Sequence, residues 1–292
     1  MPTSRKILDL SKLEGYRWLP TGQSALAGPT LERFQSLERL FLGWAATVKA
    51  QEHRVPSVIS AEQLKKVDYF RSFPHLMTLP ATLAPDGENL RRFTASEPVD
   101  AQGRLRETAF APVRDVLTPA ACYHFYVLFQ DAVLDRPQLL TTCATCFRWE
   151  RQFVPLQRQW SFSMREIVVL GTPDEVETFA GRFRERIQRW CESAKLPVEW
   201  KTATDPFFNP KKNPKALMQQ LESVKTELVF DGKLAIGSIN RHGDYFGEAF
   251  NIRRKKEPVH SACVAFGVER WLFALLTQFG VRRTDWPLSL RR

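Results

Sequence analysis

Cys263-Val264-Ala265-Phe266-Gly267-Val268-Glu269-Arg270 decides how the rest of the chain is read. This stretch closes a strand-sized apolar run over 259–266 and opens a helix that continues to about Phe279 and is closed by Gly280. A helix N-terminus with an arginine in its first turn suits a phosphate. The same arginine could equally lay its stem along the helix end with its head in water.

Outward from that junction the texture stays the same. Short apolar or alternating runs at 142–149, 164–170, 225–230 and 233–240 are strand-sized, and most end in turn residues. Their spacing suits an antiparallel sheet more than repeated strand–helix–strand units. One strong helix interrupts them. Thr172-Pro173-Asp174-Glu175 supplies an N-cap, a proline at the first position and a capping-box glutamate. Val176, Phe179, Phe183, Ile187 and Trp190 mark its buried stripe.

Towards the N-terminus, Phe34, Leu37, Phe41, Trp44 and Val48 recur at helical spacing between Leu31 and Ala50. Ser60-Ala61-Glu62-Gln63 opens a second, short helix. Residues 84–103, with Pro85-Asp86-Gly87, Pro98 and Gly103, read as turns or a hairpin, and the first thirty residues are poorly periodic. The fold class expected is α+β, an antiparallel sheet flanked by helices.

Composition narrows the function classes. The 292 residues are 43% hydrophobic and 25% charged, which excludes disordered, collagen-like and coiled-coil chains. Forty-two Lys and Arg against thirty-two Asp and Glu give a net charge of +10, which favours an acidic partner. No apolar run approaches a membrane span, and Met1-Pro2-Thr3-Ser4-Arg5-Lys6 is not followed by a signal-peptide core, so a cytoplasmic location is expected. Five cysteines, an odd count, read as thiols for metal or catalysis rather than a disulfide framework.

Cys143 and Cys146 form a C-x-x-C pair, but positions i and i+3 of a strand point to opposite faces, so buried thiols are the better reading of Cys143 and Cys191. In Cys146-Phe147-Arg148-Trp149-Glu150, Arg148 and Glu150 at i and i+2 of a strand project from one face. A guanidinium fork there suits phosphate and the carboxylate suits an amine or an adenine N–H, against the alternative of a surface ion pair.

Arg-x-Glu on a strand, a loop, an aromatic-bearing strand and a later strand–helix junction ending in Arg resemble motifs 2 and 3 of class II aminoacyl-tRNA synthetases. The chain looks most like the amino acid–[acyl-carrier-protein] ligases, relatives of the atypical seryl-tRNA synthetase of methanogens. The resemblance runs over roughly 60–275 and rests on seven stretches in order. They are Tyr69-Phe70-Arg71-Ser72-Phe73-Pro74-His75, Thr118-Pro119-Ala120-Ala121-Cys122-Tyr123, the Arg148 segment, Phe162-Ser163-Met164-Arg165-Glu166, Ala203-Thr204-Asp205-Pro206-Phe207-Phe208, Ser238 through Gly247, and the Cys263–Arg270 junction.

The resemblance implies an N-terminal helical segment over 1–65 and a class II catalytic domain over 66–292. It implies zinc held by Cys122, Glu166 and Cys263, with a fourth position open to the substrate's amino group. It places Arg148 on the α-phosphate and Arg270 at the γ-phosphate end of ATP, Phe162 against adenine and Glu150 at the adenine amino group. Glu227 and Ser238 match positions holding Mg²⁺, and Asn240 one that orients the amino acid carboxylate. The family's Gly-x-Gly-x-x-Arg is departed from at Ala265, whose methyl crowds the floor of the amino-acid pocket, and Trp149 replaces a polar residue.

The implied activity is ATP-dependent adenylation of a small amino acid, glycine or alanine, and transfer to the phosphopantetheine thiol of an acidic acyl carrier protein. Lys211, Lys212 and Lys215 are the candidate docking cluster. A homodimer is implied as well. The alternatives are tRNA-directed aminoacylation or tRNA binding, and an inactive regulatory paralogue. The first is disfavoured by the lack of length for a tRNA-binding module, the second by the intact Arg148, Glu150, Glu166 and Arg270.

Overall fold

The apolar runs pair into one seven-stranded sheet, seen here in a computed structural model that describes residues 8–95, 97–106, 108–212 and 224–291. Its strands are β1 (Gln51–Glu52), β2 (Gln138–Phe147), β3 (Ser161–Gly171), β4 (Val198–Thr202), β5 (Lys225–Phe230), β6 (Leu234–Gly243) and β7 (His260–Gly267). They lie in the order β1-β2-β3-β7-β6-β5-β4, antiparallel throughout except for β1 beside β2. The fold is the α+β arrangement expected from the sequence, an antiparallel sheet flanked by helices.

One sheet face is covered by three helices, α1 (Gly28–Ala46), α6 (Pro173–Ser193) and α8 (Val268–Phe279), where α8 follows β7 directly. The stripe Phe34, Leu37, Phe41 and Trp44 of α1 enters the same core as Ile167, Val264 and Phe266 from the strands and Trp271 from α8. Phe41 stacks on Phe266 with ring centroids 4.3 Å apart. The Thr172 capping box closes the start of α6, Glu175 returning a bond to the Thr172 N–H.

The other face carries the short helices α2 (Ala61–Lys66), α3 (Tyr69–Ser72), α5 (Tyr123–Leu128) and α7 (Tyr245–Ala249). Ser60 caps α2 by accepting from Gln63 N. Phe125, Tyr126, Phe246 and Phe250 pack with Val168 and Leu170 of β3 at one end of this face and leave the rest open.

Three sequence readings change. Residues 84–103 hold a helix, α4 (Gly87–Ala95), because the Asp86 carboxylate accepts from Asn89 N and starts a turn of helix rather than a hairpin. The buried Asn89 amide then donates to Ala84 O and Ala109 O. The run read over 142–149 is a strand over 138–147, so Arg148 and Glu150 lie just beyond its end, where Trp149 N turns away to Leu76 O. Before α1, Tyr16–Leu19 and Gln23–Leu26 form a hairpin that the poor periodicity did not show. No described helix is long and apolar enough to cross a membrane.

Candidate active site

Strand parity assembles the site. Glu166 on β3 lies opposite Ala265 on β7, Ser238 on β6 lies opposite Ala265 from the other side, and Asn240 lies opposite Cys263. Glu227 on β5 pairs with Ser238. Side chains at directly paired positions share a face, so these residues, with Phe162, Met164 and Cys146, fall on the open face. Arg148, Glu150 and Arg270 reach the same cleft of about 1870 Å³ from the end of β2 and the start of α8. Single small-molecule pockets run to about 1000 Å³, so this cleft has room for more than one substrate.

Cys122, at the N-cap of α5, completes a cluster no local pattern contains. A ligand atom from each of Cys122, Glu166 and Cys263 lies within 4.8 Å of the others, all three side chains being buried. Glu166 accepts from Ala121 N at 3.0 Å and Cys122 N at 3.1 Å and forms no ion pair among the described residues. Burial pushes its carboxyl up to about 8, with Cys263 adding to the rise and the Cys122 thiol and the Ala121 N–H opposing it.

Of the two sulfurs Cys263 is the one held well below the ordinary thiol range. The Cys122 thiol donates to it, with His242 and Asn240 as further donors, and the proton stays on Cys122. A buried carboxylate beside two sulfurs, without a cationic side chain paired to it, fits a zinc ion, and three protein ligands leave a coordination position open. No other such group occurs among the described residues, and the Cys143–Cys146 pair is not one. Cys146 lies on the open face and Cys143 against the helical core.

Sequence reading did not reach the bracing behind Cys263. Asn240 Nδ2 lies 3.2 Å from Cys263 Sγ and 3.1 Å from Ser238 Oγ, and donates to both. His242 sits in a bulge of β6 before Gly243, whose φ is +56°. Its Nε2 lies 3.9 Å from Cys263 Sγ, and its Nδ1 meets Tyr126 Oη at 3.1 Å and Ser261 Oγ at 3.2 Å. Second-shell bonds of this kind orient metal ligands. The parity of β6, two residues beyond Asn240, was the signal available for His242.

At the nucleotide end, Arg148 Nε donates to Pro119 O at 3.0 Å, and its guanidinium carbon lies 5.3 Å from the Phe162 ring centroid. Arg270 donates to Gln157 O at 2.7 Å and Ala235 O at 3.0 Å, which ties it to the loop after β2 and to β6. Glu150 pairs with Arg158 at 2.8 Å. Glu227 pairs with Lys225 at 3.2 Å, and the same ammonium holds Asp205 at 2.7 Å. Lys225, two residues before Glu227 on β5, is a cleft residue that the alternation of that strand would have exposed.

Met164 and Ala265 line the cleft, packed with the buried Ala121, Ala144 and Cys146. Lys211 is exposed in the turn Pro210–Lys212, and Lys215 lies outside the described residues.

The cleft is flanked by Arg148 and Arg270 and lies beside the Cys122, Glu166 and Cys263 cluster on the open face of the sheet. Residues 113–279 match the tRNA synthetase class II core domain (G, H, P, S and T), and the chain belongs to that family of ligase-class enzymes. Within it, the chain is 35% identical over 246 residues to amino acid–[acyl-carrier-protein] ligase 1 of Bradyrhizobium diazoefficiens, covering 82% of this chain and 74% of that one. The type-2 serine–tRNA ligase of Methanopyrus kandleri is 28% identical over 259 residues, covering 80% of this chain and 48% of that enzyme. The M. kandleri seryl-tRNA synthetase solved in complex with A. aeolicus tRNASec has the same fold, with a TM-score of 0.77 at 22% identity, over 94% of this chain and 57% of that one.

Proposed function

We propose that this enzyme activates a small amino acid with ATP and transfers it to the phosphopantetheine thiol of an acyl carrier protein. The observation that carries the reading is the meeting of Cys122, Glu166 and Cys263 with Arg148 and Arg270 in one cleft. Likeness to the Bradyrhizobium carrier-protein ligase supports the acceptor.

Zinc held by Cys122, Glu166 and Cys263 would supply a fourth coordination position for a neutral α-amine. Asn240 and His242 keep the Cys263 sulfur aimed at it. Ala265 lines the cleft beside Glu166, and its methyl supports glycine or alanine as the substrate.

In the first step a carboxylate oxygen attacks the α-phosphorus of ATP. The bond from that phosphorus to the bridging oxygen breaks and pyrophosphate leaves. Arg148 stabilises the charge that develops at the α-phosphate, and Arg270 holds the far end of the nucleotide. Phe162 offers a ring face to adenine and Glu150 an acceptor for its amino group, while Glu227 and Ser238, paired across two strands, would hold Mg²⁺, which would offset the phosphate charge.

In the second step the thiol sulfur attacks the carbonyl carbon. The bond from that carbon to the phosphate oxygen breaks, AMP leaves, and the thiol proton passes to solvent. No protein nucleophile takes part, and positioning carries most of the rate. An acidic carrier docking at the basic turn containing Lys211 and Lys212, a homodimeric assembly and a cytoplasmic location complete the proposal.

A second reading, charging of tRNA, draws on the likeness to type-2 serine–tRNA ligases, of which the chain spans about half the length. Amino-acid-dependent pyrophosphate exchange across the twenty amino acids, with and without chelator, tests the first step. One or two small amino acids should exchange, and only with metal present. Labelled transfer to loaded carrier protein or to tRNA then separates the acceptors. Charging of tRNA alone would overturn the carrier reading.

A further inference from the structure

The segment Tyr69–His75 carries part of the family likeness, yet neither the metal cluster nor the nucleotide end uses it. Tyr69 and Ser72 both line the cleft from α3 and are buried, at 3% and 1% exposure. Neither Tyr69 Oη nor Ser72 Oγ has a hydrogen-bond partner among the described residues. A buried hydroxyl without a partner is costly, and two of them three residues apart on one wall call for a reason. Burial pushes the Tyr69 hydroxyl up to about 12, with Arg148 opposing the rise, so the hydroxyl stands within electrostatic reach of the group assigned to the α-phosphate.

The wall around them is aromatic. Phe207 stacks on Phe73 with centroids 4.9 Å apart, Phe208 lies 5.8 Å from His75, and Phe208 N donates to Ser72 O at 2.8 Å. The loop 203–208 is thus fastened over α3, and the chain passes directly from it into the turn Pro210–Lys212, where Lys211 is exposed. Phe208 is itself 49% exposed. A lobe of the cleft lined by Tyr69, Ser72, Phe73, His75, Phe207 and the half-exposed Phe208 therefore stands beside Arg148.

We infer that this lobe is the path of the pantetheine arm and that Tyr69 Oη and Ser72 Oγ hydrogen-bond its amide groups, acting as positioning residues for the transfer step. The inference rests on the carrier reading above. The chemistry matches. The arm is uncharged along its length, with methylene and dimethyl segments for the aromatic walls and amide N–H and C=O groups for the hydroxyls, each of which can donate or accept. Within the segment 69–75 Arg71 is exposed and His75 lies against Phe208, so a phosphate would be drawn to Arg148 at the inner end of the lobe and not to this wall.

The test compares Tyr69→Phe and Ser72→Ala with the wild type, using free pantetheine and free cysteamine as thiol acceptors and pyrophosphate exchange as the measure of adenylation. Cysteamine has the thiol without the amides. The wild type should prefer pantetheine, and each variant should lose about tenfold of that preference through KM for pantetheine, with transfer to cysteamine and exchange changing far less. Because the hydroxyls are unpaired in the free protein, neither variant should lower Tm, whereas a structural role would lower it. Equal loss with both thiols, or loss of exchange, would overturn the inference and assign the hydroxyls to the amino acid or the nucleotide. A wild type that exchanges but forms no thioester with either thiol or with loaded carrier would overturn the carrier reading itself.

Discussion

Asn240 Nδ2 donates to Cys263 Sγ at 3.2 Å across the β6–β7 pair, while the same nitrogen reaches Ser238 Oγ at 3.1 Å. A neutral amide thereby steadies the sulfur that carries the negative charge. Replacing Asn240 with alanine should leave the three metal ligands in place but unbraced. Loss of an outer-shell partner typically weakens metal affinity about 10–100-fold. Competition with a zinc chelator measures this directly, and affinity equal to wild type would mean that the bond to Cys263 does not bear on the metal.

Cys263→Ala and Glu166→Ala each remove one of three ligands and should release zinc and abolish amino acid activation. Cys143→Ala, on the helical side of the sheet, should retain both. Metal content of the purified variants decides between the two sets, and loss of zinc from the Cys143 variant alone would discredit the ligand assignment.

Ala265 stands between Glu166 and Ser238 on the cleft floor. Ala265→Gly should widen the pocket by one methyl and raise the specificity for alanine over glycine. One methylene in a closed pocket is worth roughly 10–200-fold in kcat/KM, so a change near tenfold is expected. Ala265→Val should depress activation of every amino acid. An unchanged ratio in the glycine variant would show that the methyl does not face the substrate.

Glu269 is buried at the start of α8 and accepts from Ser163 N at 2.8 Å through one oxygen and 2.9 Å through the other. Burial pushes its carboxyl from 4.5 up to about 7, the Ser163 N–H opposing. Between those values the folded chain holds a proton that the unfolded chain has released. Its stabilising contribution is therefore complete below pH 4.5 and is lost as pH rises to about 7, on the order of 3 kcal/mol in all. Thermal unfolding across that range should show this slope, and Glu269→Gln, which keeps one acceptor for Ser163, should flatten it. Parallel curves for the two proteins would refute the assignment.

Much of the sheet was legible because backbone geometry imposes its period on the sequence. The apolar runs that became β3, β5, β6 and β7, the capped start of α6 and the stripe of α1 all show it. The segment 84–103 misled because Asp86 and Gly87 suit a turn and a helix start equally, and the choice fell to the side-chain bond from Asp86 to Asn89 N. Arg148 and Glu150 were found as a pair, but the end of the strand ahead of them depends on Leu76, some seventy positions away, which no local pattern reports.

Read by itself, the sequence determined which residues alternate on which strand. Glu166 and Phe162 had to share a face, as did Cys263 and Ala265, because successive side chains of a strand point oppositely. Tertiary structure decided which faces coincide. Only the β3–β7 and β6–β7 registers set Glu166 beside Ala265 and Asn240 beside Cys263, and only the packing of α5 against the sheet brought Cys122 to them. It also decided that Tyr69 and Ser72 would be buried with their hydroxyls unpaired. Period is fixed by neighbours in the chain, whereas register and burial are fixed by contacts between distant segments, which the linear order does not encode locally.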